Sequence, residues 1–324
     1  MATPLTACPL CKKRKRQLIF RLPEAQGRLK GIFSLFRCQA CGLVYVSPQP
    51  NIKEQQALYD DTFYCRPSMR ASVLASHIQE FFHHRRRKRL EKFKRPGKIL
   101  DIGCGDGTFV RHMAAHGWQA TGFDISPTAQ RLAQKHNKKA LILTGQWEDL
   151  KLPPASFDCL TLWQVLEHVA NPGRLLRRAA TLLRPGGLMV VAVPNIKSFQ
   201  AQITKKRWWG LDVPRHLTHF SPEVLKQTLR KSGFRIIKIK HFSLQYGPYA
   251  LFHSLLDYIF TQRHFLSDFT KRTLPADMTR KERLYNLTAL ALISPFLIPL
   301  CLTDTFLSPA LGRGGFIEVY AQRN

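Results

Sequence analysis

The sequence predicts an α/β fold: a seven-stranded, doubly wound sheet, with a small cysteine-bearing segment in front and a helical apolar insertion before the last strand. Three observations carry this expectation. From residue 98 onward, short apolar runs alternate with amphipathic stretches of helical period. Ahead of them stand two C-x2-C pairs. Near the end lies a stretch, 284–303, without a charged residue.

A chain of 324 residues can bury a substantial core. Its formal net charge of +29 implies attraction to something anionic: nucleic acid, a membrane surface or a phosphorylated substrate. A generally basic proteome would give the same excess, and composition leaves these open. The N-terminus "MATPLTACPLCKKRKRQ" has no apolar core of signal-peptide length. A cytoplasmic location with reduced cysteines is therefore expected.

Cys8-Pro-Leu-Cys11 and Cys38-Gln-Ala-Cys41-Gly42 are separated by 26 residues. Two thiolate pairs on tight turns supply four tetrahedral zinc ligands, and such a closed site staples the fold without catalysing. The spacer exceeds the usual range, so a disulfide or unrelated cysteines are the alternatives. Residues 1–48 are read as a zinc-ribbon-like segment, and Cys65, Cys104, Cys159 and Cys301 as scattered. Residues 49–96 form a helical connector. Its basic run "HIQEFFHHRRRKRLEKFKR" is read as a solvated helix face in preference to a phosphate grip, ending at the Pro96-Gly97 boundary.

The core spans 97–245. "KILDIG", "QATGFDIS", "ALILTG", "FDCLTLWQV", "LMVVAVP" and "FRIIKIKHF" are its strands, and "GGFIEVYAQR", within 312–324, is the seventh. Helices lie between them. Ser126-Pro127, Asn171-Pro172 and Ser221-Pro222 each supply a cap and a first-turn proline. The insertion, 246–311, contains the charge-free stretch, long enough to span a bilayer. Pro295 and Pro299 are expected to break a single helix there, and the basic flank "KRTLPADMTRKER" favours a helix or hairpin lying in a membrane interface. A lid or dimer contact is the alternative.

"ILDIGCGDG" joins a strand to a helix through Gly103, Gly105 and Gly107, with Asp124 at the tip of the next strand. That constellation holds a nucleoside, the acid receiving the ribose hydroxyls. Asp101 would repel a pyrophosphate and suits a cationic ligand. S-adenosyl-L-methionine has an ammonium, a sulfonium and no phosphate, so the charges favour it over NAD.

Together with "SFDCLTLWQVLEHVANPGRLLRRAATLLRPGGLMVVAVPN" and "PRHLTHFSPEVLKQTLRKSGF", these stretches resemble the class I, Rossmann-like S-adenosylmethionine-dependent methyltransferases. The form "CPxC…CxxCGLVYxxPxP" is similar to bacterial members acting on sugars, glycans or lipid-linked intermediates. The resemblance implies strand order 3-2-1-4-5-7-6, the seventh strand antiparallel. It implies that Asp101, Gly103, Gly105 and the backbone at Cys104 cradle the methionine part. Asp124 would hold the ribose, and Ile125 would lie against the adenine. Gln146, with Trp147 beside it, stands where the family often has an acid. Trp163 and Gln164 would border the methyl group.

Methyl transfer needs alignment and desolvation, and a hydroxyl acceptor also needs its proton removed, which suits a histidine. His216 and His219, in the loop after the fifth strand, are the candidate catalytic residues. His216 lines up with the histidine of the family's "EHxxYF", with Arg215 in place of the acid. If not chemical, these histidines would cap the next helix. Glu167 and His168 of "LEHV" lie where related quinone O-methyltransferases use an acid for a metal; Glu167 is read as sitting near a helix start and His168 as lining the pocket floor. Trp208 and Trp209 of "KKRWWG" are read as an exposed pair stacking on a sugar or gripping a diphosphate. The expected acceptor is a sugar, glycan or lipid-linked saccharide, met at the inner face of the membrane. The alternatives are RNA methylation, disfavoured because "LWQVLEHV" stands where "NPPY" is expected, and a quinone-type O-methyltransferase.

Overall fold

The computed structural model describes residues 3–24, 29–58, 69–136, 141–271, 273–275 and 277–324. Cys65 and Arg272 of the basic flank lie outside the described residues. The N-terminal strands are β1 (Arg16–Pro23), β2 (Ile32–Cys38) and β3 (Val44–Ser47), followed by α1 (Ile52–Leu58) and the long α2 (Met69–Glu91). The core runs β4 (Lys98–Ile102), α3 (Thr108–Ala115), β5 (Gln119–Asp124), α4 (Pro127–His136), β6 (Leu141–Thr144), β7 (Phe157–Trp163), α5 (Pro172–Leu182) and β8 (Leu183–Pro194). There follow α6 (Phe199–Thr204), the short β9 (Thr218–His219), α7 (Pro222–Lys231) and β10 (Phe234–Lys240). The insertion holds α8 (Gly247–Leu256), α9 (Phe265–Lys271) and α10 (Arg280–Ala310), and β11 (Phe316–Arg323) closes the chain.

Seven strands form one sheet in the order β10-β11-β8-β7-β4-β5-β6, with β11 antiparallel to both neighbours. Numbered within the core, this is the order the resemblance implied. The central strands are apolar on both faces because helices cover both sides. Alternation sends Leu100 and Ile102 into one core with Leu160, Leu162, Val191 and Val193, and sends Ile99 into another with Cys159, Val190 and Tyr320. Asn171 accepts the Arg174 amide and starts α5, which buries Leu175, Leu176, Ala179 and Leu182. Ser221 does the same for α7 through the Val224 amide, so that helix is not capped by the neighbouring histidines.

The cysteine segment is joined to the core. Its strands make a four-stranded sheet, β1-β2-β3-β9, in which Val44 pairs with His219 and Tyr45 with Thr218.

Three expectations are corrected. Helix α2 is not simply a solvated face: Arg86 and Arg87 are buried, because the helix packs against α3, with Arg86 over Trp163 of β7 and Arg89 on Glu318 of β11. Trp208 is buried with Leu211 and Val213 in the core beneath β2 and β3, so it is no exposed platform. Helix α10 runs unbroken through Pro295 and Pro299. Each proline removes one N–H from a long ladder. The Ser294 and Thr303 hydroxyls donate to the Leu290 and Pro299 carbonyls, and contact with α8 along one side supports the rest.

Candidate active site

The turn after β4 builds the first half of the site. The Gly103 and Cys104 amides both donate to the Phe123 carbonyl, tying the turn to the end of β5. Gly103 has φ +72°, and a Cβ there would stand 2.4 Å from Val165 Cγ2. Gly105 has φ +53°, yet a Cβ there would meet nothing within 4 Å. The first glycine is demanded by packing, and the second faces open space. The Gly105 amide donates to Asp124 Oδ2 at 2.8 Å, and the Ser126 amide to Oδ1 at 2.9 Å. Burial pushes the Asp124 carboxyl up, and the two amides oppose that. Its oxygens are oriented and keep lone pairs for two hydroxyls.

Asp101 lies beside Thr161 in the β4/β7 register, and the Thr161 hydroxyl donates to its Oδ1 at 2.5 Å. Burial raises the Asp101 carboxyl to about 7, with the Thr161 bond and the Arg86 charge pulling the other way. A cationic ligand would restore its charge. Ile125 is 44% exposed beside Asp124, free to cover a base. Gln146 is half-buried after β6. Trp147 is buried against Phe123, with the Arg178 guanidinium 5.1 Å from its ring centre.

Trp163 and Gln164, at the carboxyl end of β7, border an open cleft of about 450 Å³ shared with Arg86, Ala192 and Tyr246. Gln164 has φ +58°, a strained position at the cleft rim. Arg86 lies 4.6 Å from the Trp163 ring centre and donates to Gln245 Oε1 and the Tyr246 hydroxyl, both at 2.9 Å. Among the described residues it contacts no carboxylate, so it can receive one from a ligand. Sequence reasoning missed Arg86. Its place in a basic run hid it, and only helical phase relative to Phe82 and Arg89 would have separated it.

The second half of the site lies where the loop before α7 meets the segment after β7. Glu167, His168 and His216 each offer a donor atom, all within 4.8 Å of one another. The rings of His168 and His216 are 4.7 Å apart. Nδ1 of His168 lies 3.0 Å from the Arg215 carbonyl, and Nδ1 of His216 lies 2.8 Å from that of Gly210. Donation at Nδ1 leaves Nε2 of each as an acceptor. His219 Nε2 instead lies 2.9 Å from the Leu211 carbonyl, its ring 6.1 Å from that of His216. Burial depresses His216 to about 3 and His219 to about 4, so both are neutral. Both oxygens of Glu167 are buried without a hydrogen-bond partner, and burial raises this carboxyl to about 8. Burial would also raise Asp212, but the Arg215 guanidinium and His216 hold it well below the carboxylate range. Sequence reasoning placed Glu167 near a helix start and His168 on the pocket floor, without bringing His216 to them.

The four cysteines converge away from this cleft. Cys8 Sγ lies 3.6 Å from Cys41 Sγ, and Cys11 Sγ lies 3.5 Å from Cys38 Sγ. Tetrahedral thiolates on zinc stand about 3.8 Å apart, so the set can hold that ion. Hydrogen bonding from Cys41 pulls the Cys8 thiol down to about 5 while Cys41 itself is pushed up.

The chain matches the methyltransferase-domain family over residues 74–239. A ubiquinone biosynthesis O-methyltransferase of Albidiferax ferrireducens is 31% identical over 184 residues, 53% of this chain and 68% of that protein. Its counterpart in Chromobacterium violaceum is 28% identical over 171 residues, 49% of this chain and 73% of that one. Among solved structures, a SAM dependent methyltransferase from Archaeoglobus fulgidus superimposes with a TM-score of 0.47 at 20% identity, covering 75% of this chain and 94% of that chain.

Proposed function

From the premise that the chain belongs to the S-adenosylmethionine-dependent methyltransferases, we propose that it methylates a hydroxyl on a quinone-type aromatic ring. The observation that carries this reading is the unpartnered Glu167 carboxyl beside His168 and His216, next to a nucleoside-holding turn. S-adenosylmethionine would place its ribose on Asp124, its ammonium on Asp101 and its carboxylate on Arg86, leaving the methyl at Trp163 and Gln164. The sulfonium supplies the leaving group, so the protein aligns the acceptor and removes water. Glu167, its carboxyl raised to about 8, is suited in its ionised form to take the hydroxyl proton, while His216, held near 3, is too weak a base and would instead orient the acceptor. A divalent cation on the same three donors would polarise that hydroxyl.

The similarity to ubiquinone O-methyltransferases supports the aromatic acceptor over a saccharide. A saccharide remains the second reading because the cysteine segment, 1–48, lies outside the matched family region. The test is transfer of labelled methyl from S-adenosylmethionine to three acceptor pools: polyprenyl catechols, lipid-linked saccharides and RNA. Label in the catechols supports the proposal; label confined to saccharide or RNA overturns it.

Two further parts belong to this reading. The four cysteines hold a structural zinc, supported by their sulfur spacing. Helix α10 lies along an anionic membrane surface. Leu292, Phe296 and Leu307 are each more than 60% exposed on it, as is Leu311 just past its end, and Arg280, Lys281 and Arg283 flank them in solvent. Its length and composition would allow a span. Its buried residues, however, run from Asn286 to Ser308, so both ends rest on the same protein body. A helix held at both ends fits an interface better than a crossing.

A further inference from the structure

The foot of the insertion holds a second group of ligand-type side chains that methyl transfer does not use. His253, near the end of α8, and Asp257, one turn later, share a face. His264 stands just before α9. The three are 0%, 1% and 3% exposed, and one donor atom from each lies within 4.8 Å of the others. His253 Nδ1 is 3.7 Å from Asp257 Oδ1, too far for a hydrogen bond, and the two histidine rings are 5.2 Å apart.

Neither ring nitrogen of His253 has a hydrogen-bond partner, and neither has Asp257 Oδ2. A buried polar atom without a partner is costly, so three in one place call for an occupant. The loop is built to bring the third side chain back. The His264 amide donates to Asp257 Oδ1 at 2.9 Å, while His264 itself sits at φ +61°, a strained conformation.

We propose that His253, Asp257 and His264 bind a divalent transition-metal ion of the zinc class, clasping the end of α8 to the start of α9. Two imidazoles and one carboxylate suit zinc, whereas magnesium and calcium take oxygen sets. Tetrahedral ligands stand about 3.4 Å apart, so the widest pair closes by little more than 1 Å through side-chain rotation. Arg263 Nε lies 3.9 Å from Asp257 Oδ2. That side chain is 23% exposed and has room to turn outward when the ion takes over the charge. The clasp would fix the loop on which Leu256, Phe260 and Phe265 pack against Ala289 of α10. It therefore steadies the platform of the membrane-facing helix.

Metal content of the full-length protein and of Asp257→Asn and His253→Gln tests this. Each variant loses one equivalent relative to the parent, while cobalt loading still shows the thiolate charge-transfer band of the cysteine set and helix content is unchanged. A folded variant with the parent's metal content overturns the proposal. Should both variants fail to fold, the parent carrying Cys8→Ser and Glu167→Gln, which weakens the other two donor sets, is titrated with cobalt. A bound ion with a thiolate-free spectrum upholds the site, and cobalt bound only through thiolate, or not at all, overturns it.

Discussion

The Gly105 amide reaches across 19 residues of sequence to Asp124 Oδ2 at 2.8 Å. The turn and the acid are thus one unit: the glycine that faces open space also orients the carboxylate proposed to receive the ribose. Charge-assisted bonds from a ribose to that carboxylate are worth about 1.5–3 kcal/mol each. Asp124→Ala should weaken S-adenosylmethionine binding at least tenfold in calorimetric titration with circular dichroism unchanged. Undiminished affinity would remove Asp124 from the site.

The two neighbouring glycines should separate stability from binding. Gly103→Ala adds a methyl 2.4 Å from Val165 Cγ2 and strains a φ of +72°, so thermal unfolding should show it losing several degrees. Gly105→Ala meets no atom and pays only for φ +53°, about 1–2 kcal/mol. Its larger defect should be in cofactor affinity. Equal defects in both properties for both variants would contradict the open face assigned to Gly105.

Cofactor affinity should rise with pH through about 7. In the free protein, burial raises Asp101 to about 7, so the carboxyl is protonated below that pH. The cofactor's ammonium favours the ionised form, binding releases the proton, and affinity climbs up to tenfold per pH unit before levelling above 7. The same raised carboxyl makes stability fall as pH rises from about 4 to 7, because the folded state holds a proton the unfolded chain has lost. Asp101→Asn should flatten both slopes. An identical affinity profile in the variant would assign the titration elsewhere.

Zinc removal should be felt at the active site. Val44 of β3 pairs with His219 of β9, so the cysteine sheet backs the loop that carries His216. Cys38→Ser should release one equivalent of zinc, lower the melting temperature and cut the methylation rate. Full activity after complete loss of zinc from the cysteines would show the two sheets to be uncoupled.

The bare face of α10 should be what carries the protein to lipid. Leu292→Asp with Phe296→Asp should abolish co-sedimentation with anionic vesicles, and added salt should weaken the parent's binding. Vesicle binding unaffected by the double substitution would leave that face to another partner.

Much of the fold was legible because its signals are local. Short apolar runs such as "KILDI" become strands covered on both faces, and Asn171-Pro172 and Ser221-Pro222 start helices where the Asn and Ser side chains accept backbone amides. The glycine turn and the acid of the next strand have chemistry that reads from residue types and spacing. The prolines of α10 misled because local propensity is overridden when a helix is long and supported from the side. Trp208 misled because a tryptophan beside lysines says nothing about what packs over it.

By itself, the sequence determined the alternation of short strands and helices, the glycine turn with its acid, and the two cysteine pairs; the strand order came from the family resemblance those motifs carry. Only the tertiary structure set Arg86 on Trp163, brought Glu167 to His216, and closed His253 on Asp257 and His264. The physical reason is range. Turns and periodicity are fixed by neighbours along the chain, whereas burial and the meeting of distant side chains are fixed by how whole elements pack, and that packing decides which polar groups are left in want of a ligand.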